Sequence, residues 1–236
     1  MMKFILKKTF LTLLVCCVSF IAKAQIGYGF SHYDAGFGAG INKVYGDELP
    51  QKNTPSLNIT FTYNQTPFTN FVFEAQFGRM AGGDSLVYPG RQFTSNFSAF
   101  IFRGQLQAGE LIDYSKSPVI NGIKNFYLSA GIGYMVTHIT AISRYSAQVP
   151  GLYTDGKNDS QTPFLPLRIG YEFKIFNRYQ QPAIKIDLAY GYNFIFGDDL
   201  DGYNYGKYND TYSQFSIGLK FAIGSEVVSY RKQIIY

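Results

Sequence analysis

The amino-acid sequence predicts an all-β fold, an eight-stranded antiparallel up-and-down transmembrane β-barrel, and three observations predict it. Eight stretches alternate large apolar residues with small or polar ones at a period of two, the spacing of a strand whose two faces meet different surroundings. Charged residues inside those stretches fall on the small-residue face. The connections run long, short, long, medium, long, short, long, the asymmetry of a barrel with loops at one mouth and turns at the other.

Ahead of the strands, Lys3, Lys7 and Lys8 precede an apolar run from Phe10 to Ile21, and Ala22-Lys23-Ala24 then offers small residues at the spacing a signal peptidase reads. The run falls short of the ~20 apolar residues a membrane-spanning helix needs. Residues 1–24 are therefore predicted to be a cleaved export signal, 25–224 the barrel and 225–236 a C-terminal tail. Cys16 and Cys17 lie inside the apolar run with no small pair before them, which argues against a lipoprotein, and both leave with the signal. The mature chain then has neither a disulfide nor a thiolate metal site. The signal also carries four lysines and no acid, so Lys+Arg falls from 21 to 17 against 16 Asp+Glu. That near balance gives no electrostatic ground for nucleic-acid binding. With 20 Tyr, 22 Phe and no Trp, the aromatic content suits strands and headgroup girdles.

Residues 25–31 are a short lead. Tyr33, Ala35, Phe37, Ala39 and Ile41 then alternate with Asp34, Gly36, Gly38, Gly40 and Asn42. Alternate glycines weaken an ordinary strand; inside a narrow barrel they make room for bulky neighbours. After a polar loop over 46–55, Leu57, Ile59, Phe61 and Tyr63 stand against Asn58, Thr60, Thr62 and Asn64. A tight turn at 64–70 returns the chain with Phe71, Phe73, Ala75 and Phe77 against Glu74, Gln76 and Gly78. A longer loop over 81–95 precedes a fourth strand over 96–110, with Phe100, Phe102, Leu106 and Ala108 opposite Arg103, Gln105 and Gln107.

Ser117-Pro118 and Asn121-Gly122 mark a turn over 113–124. In the fifth strand Phe126, Leu128, Ala130, Ile132, Tyr134 and Val136 turn away from Ser129, Gly131, Gly133 and Thr137. The longest loop, 144–163, leads to Leu167, Ile169, Tyr171, Phe173 and Ile175 against Arg168, Gly170, Glu172 and Lys174. A brief turn at 177–182 brings the clearest strand: Ile184, Ile186, Leu188, Tyr190, Tyr192, Phe194 and Phe196, interleaved with Lys185, Asp187, Ala189, Gly191 and Asn193. The loop 197–210 is acidic. The last strand, over 212–224, sets Phe215, Ile217, Leu219, Phe221 and Ile223 against Gln214, Ser216, Gly218, Lys220 and Ala222. Within it Ser216, Gly218, Phe221 and Ile223 resemble the membrane-insertion signal of bacterial outer-membrane barrels, which implies the insertion machinery as a partner.

Eight strands enclose a lumen just wide enough for side chains to fill. An Arg or Lys facing hydrocarbon near the midplane costs about 2–4 kcal/mol. Asp34, Glu74, Arg103, Arg168, Glu172, Lys174, Lys185, Asp187 and Lys220 are accordingly expected to form a mixed-sign network in the lumen. The competing architecture is a soluble β-sandwich or lipocalin-like barrel. Its core would be overfilled by a face that is aromatic along whole strands.

Catalytic material is sparse. The mature chain has only His32, in the lead, and His138, followed by Ile139-Thr140, with no acid tied to it by spacing. A hydrogen-bonding histidine at the membrane boundary is the ordinary reading, and no catalytic residue, cofactor or metal site is expected. Asp198, Asp199 and Asp201 with Gly202 and Asn204 do not match an EF-hand spacing and read as a solvated acidic loop. Tyr203, Tyr205, Tyr208 and Tyr212 are expected to anchor the headgroup region. The tail, 225–236, alternates apolar with charged residues, which leaves open a disordered end or a segment docking along an exposed strand edge.

The order of several short motifs resembles the Bacteroidota outer-membrane barrels of the PorG type, associated with type IX secretion. They are Val44-Tyr45-Gly46-Asp47, Phe77-Gly78-Arg79-Met80-Ala81-Gly82-Gly83-Asp84, Ala130-Gly131-Ile132-Gly133, and Gly191-Tyr192-Asn193-Phe194-Ile195-Phe196-Gly197-Asp198-Asp199-Leu200-Asp201. This chain reads Asp47-Glu48-Leu49 where such proteins often have Asp-Leu, and it lacks their Phe-x-Pro after the fourth strand. The resemblance implies a non-enzymatic outer-membrane protein with both termini periplasmic, surrounded by outer-membrane lipids. It also implies an anchoring role in a secretion or surface assembly, with periplasmic envelope proteins as partners through 225–236. A small lipid-modifying outer-membrane enzyme or a narrow solute channel is the alternative.

Overall fold

The computed structural model describes residues 27–46, 49–87, 90–115, 117–197, 200–203, 210–224 and 227–231. Residues 1–24, Asp198, Asp199, Asn204, Tyr205 and Tyr208, on which several of the expectations above fall, lie outside them. Among the described residues ten strands form: β1 (Gly27–Phe30), β2 (Tyr33–Tyr45), β3 (Asn53–Asn64), β4 (Thr69–Gly83), β5 (Gln92–Gln107), β6 (Phe126–Ile142), β7 (Asp159–Phe176), β8 (Pro182–Ile195), β9 (Thr211–Ile223) and β10 (Val228–Arg231). Two short helices, α1 (Ala108–Leu111) and α2 (Pro118–Ile123), lie between β5 and β6. Strands β2 to β9 pair antiparallel in chain order and close into a barrel, with β9 back against β2.

The eight predicted strands are these eight, mostly longer than the alternation alone marks. The fourth is the exception at one end: it stops at Gln107, and Ala108 begins α1 instead of facing outward. There the Gly109 N–H turns to the carbonyl of Lys124, 2.7 Å away, and Gly109 packs under the ring of Phe68, which diverts the chain across the mouth. Helix α2 starts where Pro118 follows Ser117, whose hydroxyl accepts the Ile120 N–H at 3.2 Å.

Register partners followed once round the wall run from Lys43 through Ser213, Tyr192, Leu167, Ala130, Gly104, Phe71 and Tyr63, and return to β2 at Tyr33, a stagger of ten residues. Ten residues at ~3.3 Å across eight strands ~4.8 Å apart give a tilt of about 41°, inside the usual barrel range. At that tilt the ten residues from Tyr33 to Lys43 climb about 25 Å along the barrel axis. Over this height the outward positions are apolar: Phe37 and Ile41 on β2, Leu57, Ile59 and Phe61 on β3, Phe73 and Phe77 on β4, Phe100 and Phe102 on β5, Phe215, Ile217 and Phe221 on β9, all exposed.

The band has an edge at each mouth. At the short-turn end Tyr33 stacks on Phe61 (5.8 Å) and Tyr63 on Phe71 (6.5 Å), with a tilted Tyr33–Tyr63 contact at 5.7 Å joining the pairs, and Phe126, Tyr171 and Phe173 add further rings there. At the long-loop end the outward residues turn polar, with Lys43, Asn53, Arg79, Asn96 and His138.

Candidate functional site

Inward-pointing side chains fill the barrel in layers. In the strand interiors between Tyr33 and Ile41, and in their counterparts on the other strands, the Asp, Glu, Lys and Arg side chains point inward. All nine residues of the expected lumen network lie inside and buried, and the structure joins eight of them in ion pairs. Near mid-barrel Glu74 (β4) takes Arg103 Nη2 at 2.5 Å from β5 and both terminal nitrogens of Arg168, at 3.1 Å each, from β7. Gln76 Nε2 donates to the same carboxylate at 2.6 Å and Asn58 Nδ2 at 3.3 Å. Such a fork holds its acceptor in one orientation.

Closer to the short-turn end Lys220 (β9) bridges Glu172 (2.6 Å) and Asp187 (2.8 Å), while the Tyr127 hydroxyl donates to Asp187 at 2.8 Å. Lower still, Lys185 pairs with Asp34 at 2.6 Å, and Asn64 ties that pair to Asn70 and to the Ser31 carbonyl. Lys174 is the ninth member: its ammonium donates to the Pro67 carbonyl at 2.6 Å and to Gln107 Oε1 at 2.7 Å, and sits 4.8 Å over the Phe68 ring. Towards the long-loop end Gln214 accepts from Gln76 and Arg168 and donates to Asn42 and Ser56, which carries the network to the next layer.

Above that layer the lumen is mostly apolar, with Ser95 and Thr137 buried among the apolar side chains. Val44, Met80, Phe93, Phe97, Met135, Ile139, Phe164, Ile195, Leu200, Tyr203 and Tyr212 form one buried cluster. The inward face was expected to be small or polar throughout, and Tyr203 and Tyr212 were expected at the headgroups; both are wholly buried here instead. Tyr203 is held by its hydroxyl, whose single proton is shared between the carbonyls of Gln92 (3.0 Å) and Ser143 (2.9 Å), with the Arg91 guanidinium 5.0 Å from its ring. Asp201 turns inward and accepts the Tyr203 N–H at 3.0 Å, and Asp210 accepts the Leu200 N–H at 3.0 Å, so these two acids of the loop cap backbone amides.

The short-turn mouth is closed too. Phe68 stands under the lumen with Tyr114 and Tyr230 around it, ring centroids 5.5 and 6.0 Å away. Tyr230 belongs to β10, which pairs with β1 from Gly27↔Arg231 to Phe30↔Val228. The described part of the tail therefore pairs with the chain's own lead, where neither segment was expected as a strand, and the closed barrel offers no edge for it. Thr66 donates to Glu110 at 2.7 Å and Tyr230 at 3.3 Å, and burial, with Glu110 and Tyr114 nearby, pushes the Tyr230 hydroxyl up to about 12.

Lys124, in the same connection, lies 4.9 Å over the Tyr114 ring, and burial lowers its ammonium to about 8. A base whose folded value is lowered is protonated in the unfolded chain over a range where the folded protein has already released the proton. The wild type should therefore gain stability relative to Lys124→Met as pH rises from about 8 towards the ordinary lysine value of 10.5, and show no such drift below pH 7. Heat-unfolding midpoints of the two proteins across that range are the check; parallel curves would remove the assignment.

His138 meets an acid that spacing did not reveal. Its Nδ1 lies 2.6 Å from Asp159 Oδ1, a cross-strand neighbour on β7, but the two side chains are 64% and 74% exposed. The Thr140 hydroxyl donates to the Thr94 carbonyl at 3.0 Å and not to the histidine. His32 is bound through Nδ1 to the Asn64 carbonyl (3.1 Å) and stacks on Tyr63. On the outer wall, Gly104 and Ala130 form the floor of an apolar hollow of about 880 Å³ walled by Phe71, Leu106, Leu128 and Ile169.

No family model and no curated protein matches the chain. Among solved structures it is similar to Neisserial surface protein A (TM-score 0.48, 14% identity, 82% of this chain and 98% of that one). It is also similar to Ail, the attachment invasion locus protein of Yersinia pestis (0.43, 12%, 81% and 97%), and to the outer membrane protein OprG of Pseudomonas aeruginosa (0.35, 12%, 88% and 99%). The barrel itself is defined by its own strand register, which closes without an edge.

Proposed function

We propose that this is a non-enzymatic outer-membrane barrel, exported by residues 1–24, that passes no solute and anchors an envelope assembly. The observation that carries the reading is the apolar band about 25 Å high, the height of the lipid-facing belt of such barrels, wrapped round a charged interior. Charge inside and aromatic rings outside is the inverse of a water-soluble fold. In this reading the short-turn mouth, with β1 and β10, faces the periplasm. Ser216 and Gly218 point into the barrel and Phe221 and Ile223 outward on the closing strand, as a stretch read by the insertion machinery would require.

Two filled layers argue against a channel: the ion-paired residues from Asp34 to Glu74 and the apolar cluster from Phe97 to Tyr203. Reconstituted in a planar bilayer, the protein should show no steady ionic conductance, and well-defined open steps would overturn a sealed lumen. Among the described residues no hydroxyl or thiol is bound to the exposed His138–Asp159 pair, and the neighbouring Thr140 is tied to the Thr94 carbonyl, which favours the non-enzymatic reading.

The PorG-type resemblance supplies the assembly, type IX secretion, with contacts through the periplasmic mouth and 225–236. Deletion of the gene, followed by assay of secreted proteins, tests that role. Normal secretion would remove it and leave the membrane barrel untouched.

A further inference from the structure

The strand stagger fixes the height of every outward residue, and at the long-loop edge of the apolar band it brings Lys43 and Arg79 to one level on the outer wall, with Lys52 exposed at the same mouth. Lys43 on β2 pairs in register with Asn53 on β3; Lys52, next to Asn53 just beyond the strand, continues the inward positions Thr54 and Ser56 but is exposed at the mouth. Arg79 on β4 follows Gly78, whose partner is Ser56, and so lies beside Pro55 on the far side of β3. Two strand spacings and a two-residue offset, about 12 Å in all, separate Lys43 from Arg79. Beneath them Ile41, Leu57 and Phe77 belong to the apolar band.

Their surroundings differ from those of the other rim charges. His138 meets Asp159, and Arg144 gives its two terminal nitrogens to the Gly202 carbonyl and to Asn158, at 2.8 Å each. Lys52 and Arg79 are exposed and form no ion pair among the described residues, while Lys43 lies 5.6 Å over the Tyr45 ring. Among the described residues the outward positions of β2, β3 and β4 carry no carboxylate.

We infer that Lys43, Lys52 and Arg79 bind the phosphorylated headgroup of an outer-leaflet lipid whose acyl chains lie against Ile41, Leu57 and Phe77. The inference rests on the outer-membrane reading, because only a bilayer places anionic phosphate at this height over hydrocarbon. Arg offers a fork for phosphate oxygens and each Lys a point charge. A tyrosine beside them suits the same boundary.

The test is native mass spectrometry of the full mature barrel in non-ionic detergent, titrated with a diphosphorylated glycolipid, its dephosphorylated form and phosphatidylethanolamine. Binding of the diphosphorylated form alone is expected, with a loss of roughly a hundredfold in the triple variant Lys43→Gln, Lys52→Gln, Arg79→Gln at about fivefold per interfacial cation. Lys157→Gln, on the β6–β7 loop, should leave it unchanged. Equal binding of the phosphorylated and dephosphorylated lipids, an unaffected triple variant, or full competition by millimolar inorganic phosphate would each overturn the inference. Membrane fractionation and the heat-dependent gel shift of both proteins are read separately, so a barrel located elsewhere defeats the outer-membrane reading whatever the lipid result.

Discussion

Glu74→Ala should prevent the barrel from folding, or destabilise it by more than the ~3–5 kcal/mol that removal of one partner of a buried pair costs. One carboxylate faces two guanidiniums, from Arg103 and Arg168, and the side chains of all three are at most 6% exposed. Without it two like charges face each other in a space closed above by Phe97 and Tyr212 and below by Phe68. The readout is refolding from urea into detergent, followed by the gel shift between unheated and boiled samples. A lost contact and an uncompensated charge are separated by a second variant, Glu74→Leu with Arg103→Leu and Arg168→Met. Replacing a whole buried ionic cluster by apolar residues is often neutral or stabilising. Most of the loss should return, short of the ~1–3 kcal/mol for the Asn58 amide left without its acceptor. If the triple variant is as damaged as the single one, the network is not held by charge balance.

Gly38→Leu is expected to be nearly as severe, for a steric reason. Gly38 faces inward at the seam between β2 and β9, where a Cβ would lie 2.6 Å from the Ile217 carbonyl and 2.5 Å from Asn58 Oδ1. One of those contacts is backbone of the partner strand, so relief means parting the seam. Overpacking of a filled interior costs about 1–3 kcal/mol, and at a closing seam the loss should appear as failure to form the compact gel band. Gly104→Leu is the counterpart. That glycine faces outward into the hollow with nothing within 4 Å of a Cβ, and its replacement should leave stability unchanged or slightly raised. Equal damage from the two would mean that strand propensity, not interior space, governs these glycines.

The same contrast shows what the sequence discloses. Where Phe100 and Phe102 flank Ile101 and Arg103, the two faces differ in charge, and the register can be read from Arg103 alone. The apolar layer is hidden because Phe97, Met135, Phe164 and Tyr212 are as hydrophobic as their outward neighbours, which erases the alternation. Phe164 is further masked by Pro163 and Pro166, which read as loop; they stand in β7, and register pairs to β6 lapse between Ala130↔Leu167 and Gly133↔Phe164. His138 and Asp159 are 21 residues apart and meet only through the β6–β7 ladder. The nine charged residues inside were legible because burial of charge has a sequence signature, while which acid meets which base was not.

The pairing of β1 with β10 bears on the order in which the molecule is completed. Gly27 and Arg231 are brought together by the ladder between β2 and β9, which joins Tyr33 to Ile223. Before that ladder forms, closing so long a loop for four residue pairs is entropically unfavourable. The small sheet at the mouth is thus a latch that only a finished cylinder can engage, and an epitope or protease site placed within it would report completion of the barrel.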